Sequence, residues 1–173
     1  IDLSPVNSVT DRIGWPMPAV QECIDQLHGA RYFCSLDCRK GYWSISLHED
    51  SRKYHCFTDG ERVFKPKRLL QGCTDGVAAF QAAMEEVLGD TYNNGALVWV
   101  DDVLIYASSM PELFSLLETV LKRMLKSGFK CGPSKCTLFA EEVKFMGRVV
   151  NGDGIKHDPE RLKALRELPA PIT

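Results

Sequence analysis

The sequence lacks any apolar run of the roughly 18 residues that a membrane-spanning helix needs, which excludes a membrane protein. It also lacks internal repeats, low-complexity tracts and the basic, apolar and small-residue pattern of a signal peptide. Of its 173 residues, 45% are hydrophobic and 25% are charged, proportions that exclude a disordered chain and a coiled coil. We therefore expect a single compact domain with a substantial buried core.

Cysteine is not arranged as a disulfide framework. The chain has seven cysteines, an odd number with scattered spacing, which predicts a reduced, intracellular protein. Cys34 with Cys38, and Cys131 with Cys136, have spacings near those of zinc ligands, but no further Cys or His pair completes a site. We therefore favour free thiols over a structural zinc site.

Lysine and arginine are absent between residues 69 and 121, where eight acidic residues lie. The segments on either side are basic, with six basic against two acidic residues in 52–68 and seven against two in 122–148. The net charge of −2 argues against a nucleic-acid-binding protein, whereas this distribution is what a metal site beside a polyanion track requires. Chance clustering of charges on solvated faces is the alternative interpretation.

The spacing of apolar residues predicts a mixture of helices and short strands. We expect helices over 16–28, 77–88, 109–128 and 158–168, a hairpin over 54–65 with its turn at Asp59-Gly60, and strands over 31–36, 43–47, 96–100, 103–107, 129–131, 136–139 and 143–150. This order predicts an α+β fold, a split βαβ or ferredoxin-like antiparallel sheet with helices on one face.

Two adjacent acids, Asp101 and Asp102, separate two predicted strands. Carboxylates at a hairpin tip repel each other and add nothing to packing, and a hard divalent cation such as Mg²⁺ would offset that repulsion. A polar turn that binds nothing is the alternative, since Asp tolerates turn positions. Asp37 ends another predicted strand, which can neighbour this hairpin in a split sheet. Three converging carboxylates can hold two divalent ions about 4 Å apart, the arrangement used for in-line attack on a phosphate.

Six short motifs follow one another along nearly the whole chain. They are Val6-Asn7 with Trp15-Pro16-Met17-Pro18, Phe33 to Tyr42, Leu70-Gln71-Gly72 to Gln81, Trp99-Val100-Asp101-Asp102, Gly128-Phe129-Lys130 to Cys136, and Phe145-Met146-Gly147. In this order and spacing they resemble the reverse transcriptase domain of a gypsy-like LTR retrotransposon Pol polyprotein, with secondary similarity to retroviral enzymes. The resemblance implies a polymerase palm plus part of the fingers.

The resemblance also implies a role for each matching residue. Asp37, Asp101 and Asp102 would be the catalytic acids that bind the metal ions. Tyr42 would lie under the sugar of the incoming nucleotide and exclude a 2′-hydroxyl, and Gln71 would contact the same nucleotide. Tyr42 as a packing residue and Gln71-Gly72 as a plain turn are the alternatives.

Two further roles follow from the same resemblance. Lys135 would supply a cation or a proton near the leaving pyrophosphate, and Met146 with Gly147 would form the primer grip. A solvated lysine and a core methionine are the corresponding alternatives.

The chain departs from the family pattern at two places. Trp99 stands where the family has Tyr, which leaves an altered or decayed activity open. Leu70-Gln71-Gly72 is closer to the retroviral pattern than to the Phe-Gly-Leu of gypsy-like elements.

The resemblance divides the chain into fingers parts at 1–12 and about 45–75, palm at about 13–44 and 76–152, and the start of the thumb at 153–173. The chain begins at Ile1 and ends on a proline-rich stretch. We therefore expect it to be a piece of a longer protein, with the front of the fingers, the rest of the thumb and RNase H lying elsewhere in the Pol polyprotein.

The implied function is template-directed DNA synthesis by two-metal nucleotidyl transfer, with Mg²⁺ or Mn²⁺ as cofactor. Its partners would be an RNA or DNA template with a primer, deoxynucleoside triphosphates and the rest of the polyprotein, in the cytoplasm or in virus-like particles. The alternative is a catalytically decayed or domesticated nucleic-acid-binding palm, which would have no reason to keep three converging carboxylates. A cyclase-like palm would leave Gln71 and the primer-grip motif unexplained.

Overall fold

The computed structural model describes residues 1–167, so the predicted helix end at residue 168 and the proline-rich stretch beyond it lie outside the described residues. The α-helices are α1 (Ser4–Asn7), α2 (Val20–Gln26), α3 (Gly41–Ser44), α4 (Gly76–Leu88), α5 (Met110–Lys126) and α6 (Pro159–Arg166). The strands are β1 (Tyr32–Asp37), β2 (Phe57–Thr58), β3 (Val63–Phe64), β4 (Ala96–Trp99), β5 (Asp102–Ala107), β6 (Thr137–Ala140), β7 (Glu142–Phe145), β8 (Arg148–Asn151) and β9 (Gly154–His157). Short 3₁₀ helices cover Glu49–His55, Gly89–Thr91 and Pro133–Lys135.

The central sheet has four antiparallel strands in the order β4-β5-β1-β6. Along the chain, α4 connects β1 to β4, and α5 connects β5 to β6. Since β1 and β4 both run antiparallel to β5, which lies between them, this is the split βαβ arrangement. The predicted α+β fold is confirmed.

Both faces of this sheet are buried, because successive strand residues point to opposite sides. On one face, strand residues such as Leu36 and Val98 pack against Phe80 and Met84 of α4 and Leu113 of α5, in a set that we call the helix-side core. The opposite set, which we call the hairpin-side core, consists of residues from α2, the central strands and the β7–β8 hairpin: Cys23, Leu27, Ala30, Phe33, Leu97, Leu104, Val143, Phe145 and Val150. The two long helices therefore share one face, as expected, and α2 lies on the other.

Three predicted strands are wrong in detail. The segment 129–131 is not a strand, and of its residues Cys131 forms an isolated bridge with Cys38. The segment 43–47 begins as the short helix α3, and of these residues Ser46 forms an isolated bridge with Arg68. Segment 143–150 is two strands, β7 and β8, joined by a turn at Met146 and Gly147 with φ angles of 53° and 70°. Two successive residues with positive φ are what a tight hairpin turn needs. After β8 the chain turns at 151–154 and forms the strand β9, which was not predicted, before α6 begins.

The predicted hairpin around Asp59-Gly60 is confirmed, although its strands are shorter than expected. Only β2 and β3 pair, and the residues before them form a 3₁₀ helix. Oδ1 of Asp59 accepts hydrogen bonds from the backbone N–H groups of Glu61 (3.1 Å) and Arg62 (2.8 Å), which fixes the loop. No helix within residues 1–167 has both the length and the apolar character to cross a membrane.

Replacing Gly41 by Ala should destabilise the fold. A Cβ atom at Gly41 would lie 2.5 Å from Cε2 of Phe80, whose side chain is fully buried and has no room to withdraw. We expect the free energy of unfolding to fall by about 1–3 kcal/mol, as for other overpacked cores. Gly14→Ala is the matched control, because nothing lies within 4 Å of the added atom. Urea titration followed by circular dichroism measures both; equal midpoints for the two variants would contradict this packing.

Candidate active site

The pairing of β1 with β5 brings two of the predicted acids together. Asp37 is the last residue of β1, Asp102 is the first of β5, and the two are direct partners in the antiparallel register. Directly opposed residues of an antiparallel pair have Cβ atoms about 4.5–5.5 Å apart. The carboxylates of Asp37 and Asp102 therefore lie within reach of one ion-binding site.

The position of Asp101 is set by the turn between β4 and β5. Trp99 pairs with Asp102, so the hairpin closes through a two-residue turn made of Val100 and Asp101. Val100 has a φ of 55°, a left-handed conformation that a β-branched residue rarely adopts and that stores strain. The residue pattern predicted the turn but not this backbone strain, which is typical of functional sites.

The acids share one electrostatic environment. The pKa of Asp102 is raised by burial and then by the negative charges of Asp101 and Asp37. Burial, followed by the charge of Asp101, raises the pKa of Tyr42 to about 12, which places the phenol near the turn. Negative charge is therefore concentrated at this end of the sheet.

Asp37 and Asp102 point to the hairpin-side face of the sheet, because directly opposed residues share a face and alternate residues of β1 and β5 lie in that core. The Met146-Gly147 turn connects the strands that cover the same face, and Met146 packs against the hairpin-side core. The two proposed primer-grip residues thus lie on the side of the sheet toward which the acids point.

Lys135 lies beside Asp37, and its role near the leaving pyrophosphate stays a prediction. Its Nζ is 3.8 Å from Oδ2 of Asp37, and its side chain is 73% exposed. The neighbouring loop is tied to the same residue, since the backbone N–H of Gly132 donates to the carbonyl of Asp37 at 3.0 Å. A Cβ at Gly132 would stand 3.1 Å from Oδ1 of Asp37, so glycine allows this close approach.

Tyr42 is half-buried on α3 and is held by α4. Its ring centroid lies 5.6 Å from that of Phe80. A Cβ on Gly76, the first residue of α4, would contact the same ring at 3.5 Å. The first turns of α4 therefore determine where this aromatic ring stands relative to the acids.

Gln71 is exposed in the turn before α4, and its side chain makes no hydrogen bond within residues 1–167. Asn7 holds this turn: its Nδ2 donates to the carbonyl of Gly72 and its Oδ1 accepts from the N–H of Thr74, both at 2.9 Å. In the sequence Asn7 stood out only as part of a motif, and this contact was not predicted. The sequence feature that could have indicated this contact is the amide side chain of Asn7, because an amide can donate one hydrogen bond and accept another.

The cysteines next to the acids form a group that the sequence analysis did not anticipate. Cys38 and Cys131 face each other in an isolated antiparallel bridge. Burial raises the pKa of Cys38 to about 12 and that of Cys131 to about 11, so both are protonated thiols at neutral pH. All seven cysteines are free thiols.

In residues 1–167 no three His, Cys, Asp or Glu side chains are already arranged around one point as metal ligands. The donor chemistry of the acids nevertheless fits a hard divalent cation, because carboxylate oxygens are its preferred ligands and the repulsion among the three acids would be offset by its charge. Mg²⁺ commonly takes only one or two protein carboxylates and completes its shell with water and substrate phosphates. Asp37, Asp101 and Asp102 are the residues that would hold it, after rotation of their side chains.

The chain is similar to reverse transcriptases along most of its length. Residues 2–150 match the family described as "Reverse transcriptase (RNA-dependent DNA polymerase)". Relatives include the retrovirus-related Pol polyprotein from transposon gypsy of Drosophila melanogaster, 32% identical over 171 residues, and that from transposon 297 of the same organism, 29% identical over 171 residues. Each alignment covers 99% of this chain but 16% of the relative, so the chain corresponds to a small part of those polyproteins.

Solved structures agree with the sequence relatives. The foamy viral protease-reverse transcriptase in complex with RNA/DNA hybrid superposes with a TM-score of 0.86 at 25% identity, over 98% of this chain and 23% of that one. The same enzyme in complex with dsDNA gives a TM-score of 0.86 at 25% identity, over 98% of this chain and 35% of that one.

Replacing Asp102 by Asn should stabilise the protein at pH 7 when EDTA keeps divalent ions away. Folding raises the pKa of the Asp102 carboxyl above its ordinary value of 3.8. The stability that this group contributes is complete at a pH below 3.8 and is lost as the pH rises through the raised pKa. We expect a gain of less than about 1 kcal/mol, since Asp102 is more than a third exposed and solvent screens the repulsion. The gain should vanish below the ordinary pKa.

Asp90→Asn is the control of opposite sign. The hydrogen bond and charge of Arg123 lower the pKa of Asp90, so its contribution is present at neutral pH and is lost as the pH falls. Thermal unfolding of both variants from pH 3 to pH 8 measures the two trends. A destabilised Asp102→Asn protein at pH 7 would contradict the repulsion among the acids.

Proposed function

The chain belongs to the reverse transcriptase family, and from that premise we propose that it is the polymerase core of an RNA-directed DNA polymerase in a retrotransposon Pol polyprotein. The observation that carries the proposal is the register of β1 and β5, which sets Asp37 opposite Asp102 and next to the turn that holds Asp101. A strained turn that bears one acid, beside the opposed pair Asp37 and Asp102, fits a site built for metal-assisted phosphate chemistry better than a plain polar turn.

We also propose the division into fingers, palm and thumb. The central sheet with α4 and α5 would be the palm, at about 13–44 and 76–152, and the separate β2–β3 hairpin would belong to the fingers, at 1–12 and about 45–75. Residues 153–173 would begin the thumb. The separation of the two-stranded sheet from the four-stranded one supports this division.

The reaction would be nucleotidyl transfer from a deoxynucleoside triphosphate to a primer 3′-hydroxyl. Two divalent ions, Mg²⁺ or Mn²⁺, would supply activation of the attacking oxygen and charge neutralisation at the leaving one. Asp37, Asp101 and Asp102 would hold them. Lys135 would keep a positive charge beside Asp37, where its ammonium group also has a proton to give to the departing pyrophosphate.

The remaining residues would position the substrates. Tyr42, held by Phe80, would lie against the sugar of the incoming nucleotide, and Gln71 would contact that nucleotide from its exposed turn. Met146 and Gly147 would support the primer end from the hairpin that covers the same face. Positioning of this kind supplies much of the acceleration when the protein has little covalent chemistry to perform.

A template with its primer would be the nucleic-acid partner. Two aromatic rings in the proposed fingers part each lie against a cationic side chain. Nζ of Lys53 is 5.0 Å from the ring centroid of Tyr54. The guanidinium of Arg62 is 5.4 Å from the ring centroid of Phe64. Such pairs offer both stacking surfaces and phosphate contacts. The solved relatives in complex with RNA/DNA hybrid and with dsDNA support the same class of partner. The cytoplasm or a virus-like particle is the location that a retrotransposon polyprotein would occupy.

Removing any one of the three acids should abolish primer extension. We expect Asp37→Asn, Asp101→Asn and Asp102→Asn each to lower the rate at least about a hundredfold, since each loses part of several kcal/mol of charge stabilisation. The assay is Mg²⁺-dependent extension of a DNA primer on an RNA template by the full-length protein that carries this chain.

Asp153→Asn is the matched control, because Asp153 also lies in a two-residue hairpin turn, between β8 and β9. It should extend at the wild-type rate. A wild-type protein that binds template–primer but extends nothing would overturn the polymerase proposal and favour the decayed or domesticated module.

Tyr42→Val should relax the choice of sugar. Loss of the ring would open space beside the sugar while the acids remain, so ribonucleotide insertion should rise and deoxynucleotide insertion should fall less. Removing one apolar contact typically changes discrimination by about 1–3 kcal/mol, or roughly 10–200-fold. Single-nucleotide insertion with both sugars measures the ratio, and equal losses with both would indicate a packing role instead.

A further inference from the structure

Gln81 is a fully buried amide in α4 that none of the proposed roles uses. Its Nε2 donates to Oε1 of Glu85 at 2.8 Å and to the backbone carbonyl of Val98 at 3.2 Å. Its Oε1 is buried without a hydrogen-bond partner in residues 1–167. An unpaired buried oxygen costs free energy that an apolar side chain would avoid, so packing alone does not account for this residue.

The carbonyl that Gln81 reaches belongs to an edge strand. β4 is the outer strand of the sheet, so its outward backbone groups have no strand partner. The two-residue turn makes Trp99 and Asp102 the hydrogen-bonded pair that closes the hairpin, and the next pair along, Val98 with Val103, is then the non-hydrogen-bonded one. The carbonyl of Val98 therefore points away from β5, and Gln81 supplies its donor.

The same hydrogen-bond pattern recurs two residues earlier in β4, at the next non-hydrogen-bonded pair. Ala96 is also in a non-hydrogen-bonded position, and its outward carbonyl accepts from the backbone N–H of Asn93 at 2.9 Å. Gln81 therefore satisfies the outward carbonyl nearest the catalytic turn. It is a side chain from α4, and not a neighbouring strand, that fixes this end of β4.

Glu85 and Tyr92 set the orientation of the Gln81 amide. Oε1 of Glu85 accepts from Nε2 of Gln81 and, at 2.9 Å, from the hydroxyl of Tyr92. If the amide were flipped, its oxygen would face two acceptors, the Glu85 carboxylate and the Val98 carbonyl. The NH₂ group is therefore locked toward β4.

The residue before Gln81 packs against the proposed sugar gate. Phe80 contacts the ring of Tyr42 and fills the space beside Gly41. Two consecutive residues of α4 thus contact the two elements that flank the site. Phe80 packs against Tyr42 of α3. Gln81 is bonded to β4, the strand that leads into the turn. The strained turn needs such support, because its β5 side is anchored by β1 whereas its β4 side is an edge.

We propose that Gln81 is a positioning residue which, through the Val98 carbonyl, fixes the catalytic turn relative to Tyr42. Its side chain is fully buried, so we assign it an action through the Val98 carbonyl and no direct role on substrate or metal. The inference rests on the proposed polymerase function, but its geometric part, the anchoring of β4, is independent of activity and is measured separately.

The first experiment monitors the position of β4 through the fluorescence of Trp99. Trp15→Phe with Trp43→Phe leaves Trp99, the last residue of β4, as the only tryptophan. In that background, Gln81→Met should shift the Trp99 emission and raise its acrylamide quenching constant about twofold or more. Met84→Ala is the matched control, because Met84 is buried on the same helix and its truncation costs stability without touching a β4 carbonyl.

The second experiment reads the consequence for the reaction, in the full-length protein that carries this chain. Gln81→Met should lower kcat for deoxynucleotide insertion about tenfold to a hundredfold with little change in KM, and should change the ratio of deoxynucleotide to ribonucleotide insertion. Met84→Ala should leave that ratio as in the wild type, because loss of folded protein lowers both rates equally. Tyr92→Phe removes the hydrogen bond from the Tyr92 hydroxyl to Glu85 and should change kcat and the sugar ratio in the same direction but less. This variant replaces Gln81→Met in the experiment if Gln81→Met does not fold.

The outcomes separate the two proposals. Unchanged Trp99 quenching and an unchanged sugar ratio in folded Gln81→Met would overturn the role of Gln81, even with an active wild-type enzyme. Altered Trp99 quenching in a protein whose wild type extends no primer would support the anchoring of β4 while the polymerase proposal fails. Equal effects of Gln81→Met and Met84→Ala on quenching and on the ratio would reduce Gln81 to a stability role.

Discussion

The antiparallel pairing of β1 with β5 is the constraint on which the rest of the structure depends. It runs without a shift from Tyr32 opposite Ala107 to Asp37 opposite Asp102. A slip of one residue would separate the two acids and would also turn every side chain of the strand to the wrong face. Since both faces of the sheet are buried, such a slip would break both cores. The packing that stabilises the fold therefore also fixes the distance between the acids.

Two unfavourable features are concentrated at the end of this ladder. Like charges gather around Asp102, and Val100 holds a left-handed backbone conformation that its branched side chain disfavours. A flexible loop would relax both, by moving the backbone positions of the acids apart and by rotating the backbone at Val100. Here the flanking strands are buried, and α4 holds β4 through Gln81, so neither relaxation is open. A rigid scaffold with a locally unfavourable site is what preorganised electrostatic catalysis requires.

The sequence predicted those parts of the fold that local patterns determine. The apolar strands, the long helices and the acids where β4 turns into β5 all follow from periodicity and turn residues. The Met146-Gly147 turn was missed because methionine is not a typical residue for positive φ, and the short helix at Gly41–Ser44 because Trp43, Ile45 and Leu47 imitate a strand pattern. Gln81 was quoted only as part of a motif, since its role depends on an edge carbonyl that no local pattern indicates.

Trp99 is the departure from the family pattern that lies closest to the acids, and its packing indicates how the larger ring is accommodated. It is opposite Asp102 and packs, half-buried, against the hairpin-side core. Its bulk is therefore taken up by contacts with that core, and Asp102 keeps its register opposite Asp37. Met146 packs against the same core from the neighbouring hairpin, so the tryptophan and the proposed primer grip rest on one apolar support. The substitution thus changes the apolar support of the proposed primer grip and leaves the acids in place.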